Sequence, residues 1–531
     1  MTAVTTETLN DATIQPTAKT HWLDRLDQSC ERIGDTLNPI LVKETRQALK
    51  SRQFVMTFSV LLFAALAWTV IGSLTSMPQI YTSPSAPRML IGYYIVLAIP
   101  MLLVVPLAAY RSLEGEIDDG TLELLSITIL SPWQIVLGKL ASAMLQMVLY
   151  YVALFPCVAY AYTLRGVDLP TTLLIMGLLI ASAILLTVVA LFFAPLARSR
   201  TGRITTLLAM MSILVSAEWG LAILVINLLL YGNPLTSEWM FYIVTASIVL
   251  SFSLGHLLLT ATAAQLTPES ENRSTHLRVS MLIFSGITVG VSGLAIQLLG
   301  NSAIEVVLGN CLFLGAFWSV CGSMLAAECD VMTPRIQREL PSSLLARVLL
   351  TWLTPGPATG LVFATVNITL ISWAAVRGFE YLFDRTGWLA APQASATIKS
   401  LIIGYAGYLV ALLVGVRTVI AIIRIKNHPR VEIGIAAVIA IAVLSSLVPY
   451  SIGLHLNDYR AYDYSAWQIT NWAWTLSELS RGVVLNRELF VICFFAGVSF
   501  LACIFASPQL VLPRRTATPL RVQQERENMQ T

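Results

Sequence analysis

The sequence predicts an all-α, polytopic integral membrane protein of about twelve transmembrane helices, preceded by an N-terminal amphipathic helix. Three observations predict it. Of 531 residues, 56% are hydrophobic and 12% charged, where a soluble domain carries about 25% charged residues. The apolar residues gather into twelve runs, roughly 54–74, 90–110, 136–163, 171–197, 204–230, 240–264, 279–300, 304–327, 353–376, 398–422, 431–454 and 489–511. Each lies near the ~20 residues that cross hydrocarbon. The basic residues are also distributed unevenly. With the N-terminus inside, the outer segments hold only Arg88, Arg165, Arg377, Arg385, Lys399, Arg460, Arg481 and Arg487, which is 8 of the 33 Lys and Arg. That is a positive-inside bias, and it puts both termini in the cytoplasm. The net charge of +3 says little, because the distribution matters more than the sum.

Residues 1–36 form a polar cytoplasmic tail, Thr-rich at its start, and the first 50 residues contain no apolar run, so no cleavable signal peptide is expected. Asn38-Pro39 reads as a helix cap followed by Pro at the first helical position. The helix it opens puts Lys43, Arg46, Gln47 and Lys50 on one face, with Leu37, Leu41 and Ala48 roughly opposite and Glu44 between. A basic amphipathic helix directly before a span suits the inner membrane surface, and a solvated cytoplasmic helix is the plainer alternative.

The segment between the second and third runs is the most structured polar stretch of the chain. It reads RSLEGEIDDGTLELLSITILSPWQIVLGKL from Arg111 to Leu140 and packs Glu114, Glu116, Asp118, Asp119 and Glu123 around Gly120. Acids at this density lie outside a bilayer. Asp119-Gly120-Thr121 can end one helix and cap the next, with Glu123 in the first turn, where the helix dipole favours an anion. Ser131-Pro132-Trp133-Gln134 reads as another helix start, with Ser131 as cap and Gln134 closing a capping box. The pattern alone fits either an ordinary ordered loop or a surface presented to a soluble partner.

Later elements carry fewer signals. Pro100, Pro106, Pro156 and Pro195 within runs read as kinks. Glu218 in the fifth run is the intramembrane candidate, since an ionisable group deep in a span is a functional candidate by default; His256 and Arg417 are the others, and Arg417 can also snorkel or pair with a neighbour. Glu305 and Glu328 lie at span ends, where water solvates them more easily. The outer segment 455–488 concentrates Trp467, Trp472 and Trp474 beside Tyr459, Tyr462 and Tyr464, as expected of a segment resting at headgroup level; a substrate-handling cap is the alternative.

Several chemistries have no signature. The seven cysteines (Cys30, Cys157, Cys311, Cys321, Cys329, Cys493, Cys503) form no CxxC and sit mostly in apolar runs, so neither a disulfide framework nor a metal site is expected. The five histidines form no HExxH, and no GxSxG occurs. No GxxxxGK[ST] occurs either, so the chain carries no phosphate-cradling loop of that kind. Nothing points to nucleic acid.

Two stretches resemble the permease subunits of ABC exporters of the ABC-2 type. NPILVKETRQALKSRQ is similar to the family's amphipathic elbow helix. EGEIDDGTLELLSITILSPWQIVLGKL is similar to the cytoplasmic segment between the family's second and third spans, an E-x-E-x-G-T-L-E-L-L core followed by a Pro-containing turn and a G-K pair. Glu116 falls on its first acid, and Gly120, Thr121, Leu122, Glu123, Leu124, Leu125, Pro132, Gly138 and Lys139 match. Asp118 is an acid where a second Glu is usual, and Asp119 departs from the basic or polar residue common there. The resemblance covers about 180 residues, from the elbow through the third span. It implies a transport subunit, not an enzyme, that binds a separate ATP-hydrolysing subunit through residues 111–135. ATP and Mg would sit on that partner, with no cofactor on this chain, and substrate would move outward. It also implies a homodimer or pseudo-dimer in a bacterial-type cytoplasmic membrane.

The family's common unit has six spans. Cutting this chain near residue 275 gives a six-span unit, 37–275, and a second six-span unit, 276–512, followed by a basic cytoplasmic tail, 513–531. The second unit is either an extension or a degenerate repeat; its segment ECDVMTPRIQRELPSS from Glu328 does not repeat the acidic motif, which favours an extension. A proton-coupled carrier built on Glu218 and a non-transporting scaffold or assembly subunit are the alternative functions.

Overall fold

The computed structural model of the protein describes residues 39–77, 83–120, 131–196, 200–231, 236–268, 271–328, 334–340, 343, 345–346, 350–386, 391–424, 433–460, 462–506, 521–522 and 524–525. The two terminal tails fall largely outside them. Among the described residues every regular element is a helix and none is a strand. The chain is an all-α, multi-pass membrane protein with twelve helices long and apolar enough to span.

A short helix, α1 (Pro39–Lys50), comes first. Six long helices follow: α2 (Arg52–Ser76), α3 (Ala86–Asp118), α4 (Pro132–Thr163), α5 (Leu169–Phe193), α6 (Arg200–Tyr231) and α7 (Ser237–Leu266). The second set is α8 (Ser274–Leu298), α9 (Ala303–Ala326), α11 (Pro357–Thr386), α12 (Ala391–Arg424), α13 (Ile433–Leu456) and α15 (Asn486–Ala506), with short helices α10 (Pro334–Glu339) and α14 (Trp472–Ser480) between them.

The local chemistry explains the ends. Ser131 caps α4 through a full capping box: its Oγ accepts from the Gln134 amide at 3.3 Å, and Gln134 Oε1 accepts from the Ser131 amide at 3.0 Å. Asp168 caps α5, and its hydrogen bonding with Thr171 holds the Asp168 carboxyl below the usual range. α3 ends at Asp118, and Gly120 just beyond takes φ +66°, the left-handed conformation in which glycine carries no steric cost. Within α3 a π-helical turn covers Ile99–Val104. Pro100 there lacks an amide hydrogen and its ring crowds the preceding turn, so the chain widens instead of breaking.

Helix length positions the polar site. α3 has 33 residues, about 50 Å of helix, against about 30 Å of hydrocarbon. Its C-terminal turns, with Glu114, Glu116 and Asp118, therefore stand beyond the membrane, on the same face as α1.

Packing divides at α7. In the first six spans α3 is central: Tyr93, Leu97, Met101, Leu102 and Leu113 on it are fully buried, and it packs on α2, α4, α5 and α6. α2 also packs on α4, α4 on α5 and α7, and α5 on α6 and α7. In the second six, α9 packs on α8, α11, α12 and α13, while α8 packs on α11, α11 on α12, and α12 on α13 and α15. Trp318 of α9 is its buried centre, with Phe363 and Leu413 around it. The extensive contact between the two sets is α7 against α8. Large apolar side chains such as Phe63 and Leu66 of α2, Trp219 of α6 and Phe505 of α15 point outward, which suits helices whose solvent is lipid.

The aromatic segment is folded, not merely resting on a surface. The Trp472 indole donates to Ala442 O of α13 at 2.8 Å, Asn471 Oδ1 accepts from Ser446 Oγ at 2.9 Å, and the fully buried Gln468 donates to Pro449 O at 3.0 Å. Trp474 packs edge-on against Tyr450, Tyr462 and Tyr464. Tyr459 and Trp467 are the rings that stay exposed.

Candidate functional site

The polar site forms where α1, the end of α3 and the start of α4 meet. Lys139 lies at the start of the third turn of α4, its side chain 1% exposed. Its Nζ donates to Ser112 Oγ at 2.7 Å and to Glu44 Oε1 at 3.2 Å, and sits 3.1 Å from Glu116 Oε2. Ser112 Oγ in turn donates to Glu44 Oε2 at 2.9 Å. Lys43 of α1 closes the ring from outside, 3.2 Å from Glu116 Oε1. Two carboxylates thus share one buried ammonium, a peripheral one joins Glu116, and three helices are tied at one point.

The remaining residues predicted for this segment divide three ways. Asp118 pairs with Arg203 at the start of α6, which brings a fourth helix to the same end. Glu114 accepts from the buried Tyr110 hydroxyl at 3.2 Å. Gly120 supplies the turn, and Pro132 takes the first position of α4. Thr121, Leu122, Glu123, Leu124 and Leu125 lie outside the described residues. On α1, which Pro39 opens, Glu44 and Ile40 face inward while Lys43, Arg46 and Lys50 are exposed. The amphipathic reading of this helix missed that its inward face carries a carboxylate as well as apolar groups.

Glu218 stands apart. It is half-buried on α6, near enough to Tyr94 of α3 to act on it electrostatically, and among the described residues no ion pair to it is found. Arg417 of α12 is 5% exposed and lines a cavity of about 940 Å³ between α12, α13 and α15. Among the described residues no group of three His, Cys, Asp or Glu could hold a metal ion.

A second polar knot escaped the sequence reading. Arg278, at the start of α8, is 0% exposed. Its Nη2 donates to Glu328 Oε2 at 2.7 Å and its Nη1 to Trp352 O at 2.7 Å and Thr359 Oγ1 at 3.2 Å, while Nε donates to Ser274 Oγ at 3.0 Å. Glu328 also accepts from the Gly356 amide at 2.7 Å and from Ser274 Oγ at 2.6 Å. The expectation that Glu328 is readily solvated is corrected: it follows the end of α9, and this knot holds it. The one available signal was the pairing of a lone Arg and a lone Glu at neighbouring span ends.

No protein-family pattern matches this chain, and no curated protein or solved structure is significantly similar to it. Fold and site together define a multi-pass membrane protein with two buried charge knots on the face that carries α1.

Proposed function

We propose that this chain is the membrane-spanning permease of an ABC exporter of the ABC-2 type, energised by ATP hydrolysis on a separate subunit. The observation that carries this reading is the Glu44–Lys139–Glu116 network. It fastens an amphipathic pre-span helix to both flanks of the segment between the second and third spans. A push on that segment would reach α1, α3 and α4 as one rigid body, and through Asp118 and Arg203 also α6. Coupling through rigid elements is what a permease without its own ATPase needs. The missing phosphate loop agrees. In this reading the α1 face is cytoplasmic, the membrane is a bacterial-type cytoplasmic membrane, and ATP and Mg bind the partner.

Affinity purification in mild detergent tests it. A phosphate-loop ATPase is expected to copurify with the wild-type chain and to be recovered in smaller amount with Glu123→Lys, a charge reversal in the segment between α3 and α4, while membrane insertion and melting temperature hold. Repeated recovery without an ATPase overturns the proposal. Transport that persists without ATP and is abolished by Glu218→Gln would establish the proton-coupled carrier in its place.

A further inference from the structure

We infer that the second six spans repeat the first, so that one chain supplies both halves of the permease and binds two copies of its ATPase. The inference rests on the function proposed above and departs from the family's six-span unit, which needs a second chain. Number the spans one to six within each half: α2 to α7 in the first, and α8, α9, α11, α12, α13 and α15 in the second. Span two packs on spans one, three, four and five in both halves. Span one packs on three, three on four, four on five, and four on six, again in both. The one extensive pairing without a counterpart is span three with span six in the first half, and in neither half does span five pack extensively on span six. Adjacent spans in a bundle touch by default, so the telling agreements are the non-sequential pairs and the shared gap between consecutive spans five and six.

The polar knots occupy the same place in this scheme. Each centres on a carboxylate at the C-terminal end of span two, Glu116 in the first half and Glu328 in the second. Each carboxylate is held by a buried cation from the base of a neighbouring span, Lys139 of span three or Arg278 of span one. Each knot adds a serine hydroxyl, Ser112 or Ser274. Span three begins at a proline in both, Pro132 and Pro357. Six spans is an even number, so the halves enter the membrane from the same side, as in a parallel repeat. Both knots then lie on one face, each beside the segment between spans two and three. The sequence hides the repeat because what recurs is a pairing of helices and the placing of one ion pair, and any apolar residue of suitable size satisfies the first.

Native mass spectrometry of the full chain, released from mild detergent with the ATPase that copurifies, decides the matter. One chain with two ATPase copies is expected. Lys139→Met and Arg278→Met, each checked for a monodisperse elution profile, are each expected to leave one copy bound. One chain with a single ATPase, or two chains with two, overturns the inference and leaves the function standing. Absence of any ATPase overturns the function, and this inference with it. The wild-type mass alone discriminates, so a variant that fails to fold does not blunt the test.

Discussion

Arg278 shows how much one residue can commit. A guanidinium with no exposed surface is strongly destabilising unless its donors are met, and here Glu328, Thr359, Ser274 and two backbone carbonyls, those of Trp352 and Gly356, meet them. Removing one member of such a pair leaves a buried charge alone, at a cost of about 3–5 kcal/mol. Arg278→Met is therefore expected to lower the melting temperature in detergent markedly. The double variant Arg278→Met with Glu328→Leu is expected to lose less than the sum of the single changes, because a neutral apolar pair is tolerated where a lone ion is not. Strict additivity would mean that the two side chains do not interact. The same logic covers Lys139, whose two carboxylates are as shielded from water as Glu328. At this scale the sequence was legible in part. Glu116 and Glu44 stand out as acids of the two polar stretches, and Lys139 as half of the matching G-K pair. Their meeting was not legible, since Glu44 lies 68 residues from Ser112 and 95 from Lys139, and no periodicity links positions that far apart.

Elements were read most securely where punctuation is chemical. The capping box at Ser131 is the pattern S-P-W-Q acting through its own atoms; Ser131→Ala is expected to cost about 1 kcal/mol, read as faster hydrogen exchange in the first turn of α4. The π-helical turn at Ile99–Val104 was not legible beyond the expectation of a kink, because proline alone does not say how a helix accommodates it. Nor was the seating of α2 on α3. The Trp68 ring lies over Gly92, where an added Cβ would come 2.0 Å from the indole, and the indole nitrogen donates to Met89 O at 3.2 Å. Gly92→Ala must therefore displace an anchored ring, an overpacking cost of about 1–3 kcal/mol. Adding Trp68→Leu to Gly92→Ala is expected to recover part of the lost melting temperature. Composition alone assigns the aromatic outer segment, and the structure turns most of its rings inward because Asn471 and Gln468 find side-chain and backbone partners in the C-terminal half of α13.

For the whole molecule, the twelve spans were legible because hydrocarbon imposes a minimum length and excludes charge, a constraint independent of how the spans later pack. Which side faces the cytoplasm rests on the charge asymmetry, and the structure adds a physical reason to weigh some charges less. On the face opposite α1, Arg377 and Lys399 both close on Glu380, at 2.8 and 2.9 Å, and Arg481 pairs with Glu478 at 3.1 Å. Two carboxylates thus offset part of the charge of three bases where they stand. On the α1 face, Arg46 and Lys50 are exposed on a helix that lies against the spans, where anionic lipid would attract them at about 1 kcal/mol each. Acids offset part of the basic charge on both faces, Lys43, Lys139, Arg203 and Arg278 being paired on the α1 face, so the expected orientation, with α1 toward the cytoplasm, rests on the count of basic residues. Single cysteines placed in a background lacking the seven native ones give the measurement. In intact cells a membrane-impermeant maleimide is expected to label Ser480→Cys, at the C-terminal end of α14, and to leave Lys50→Cys unlabelled until the membrane is permeabilised. The reverse pattern would turn the molecule over. Both knots, and the segment proposed to meet an ATPase, would then face away from cellular ATP, and the permease reading would fail with the orientation.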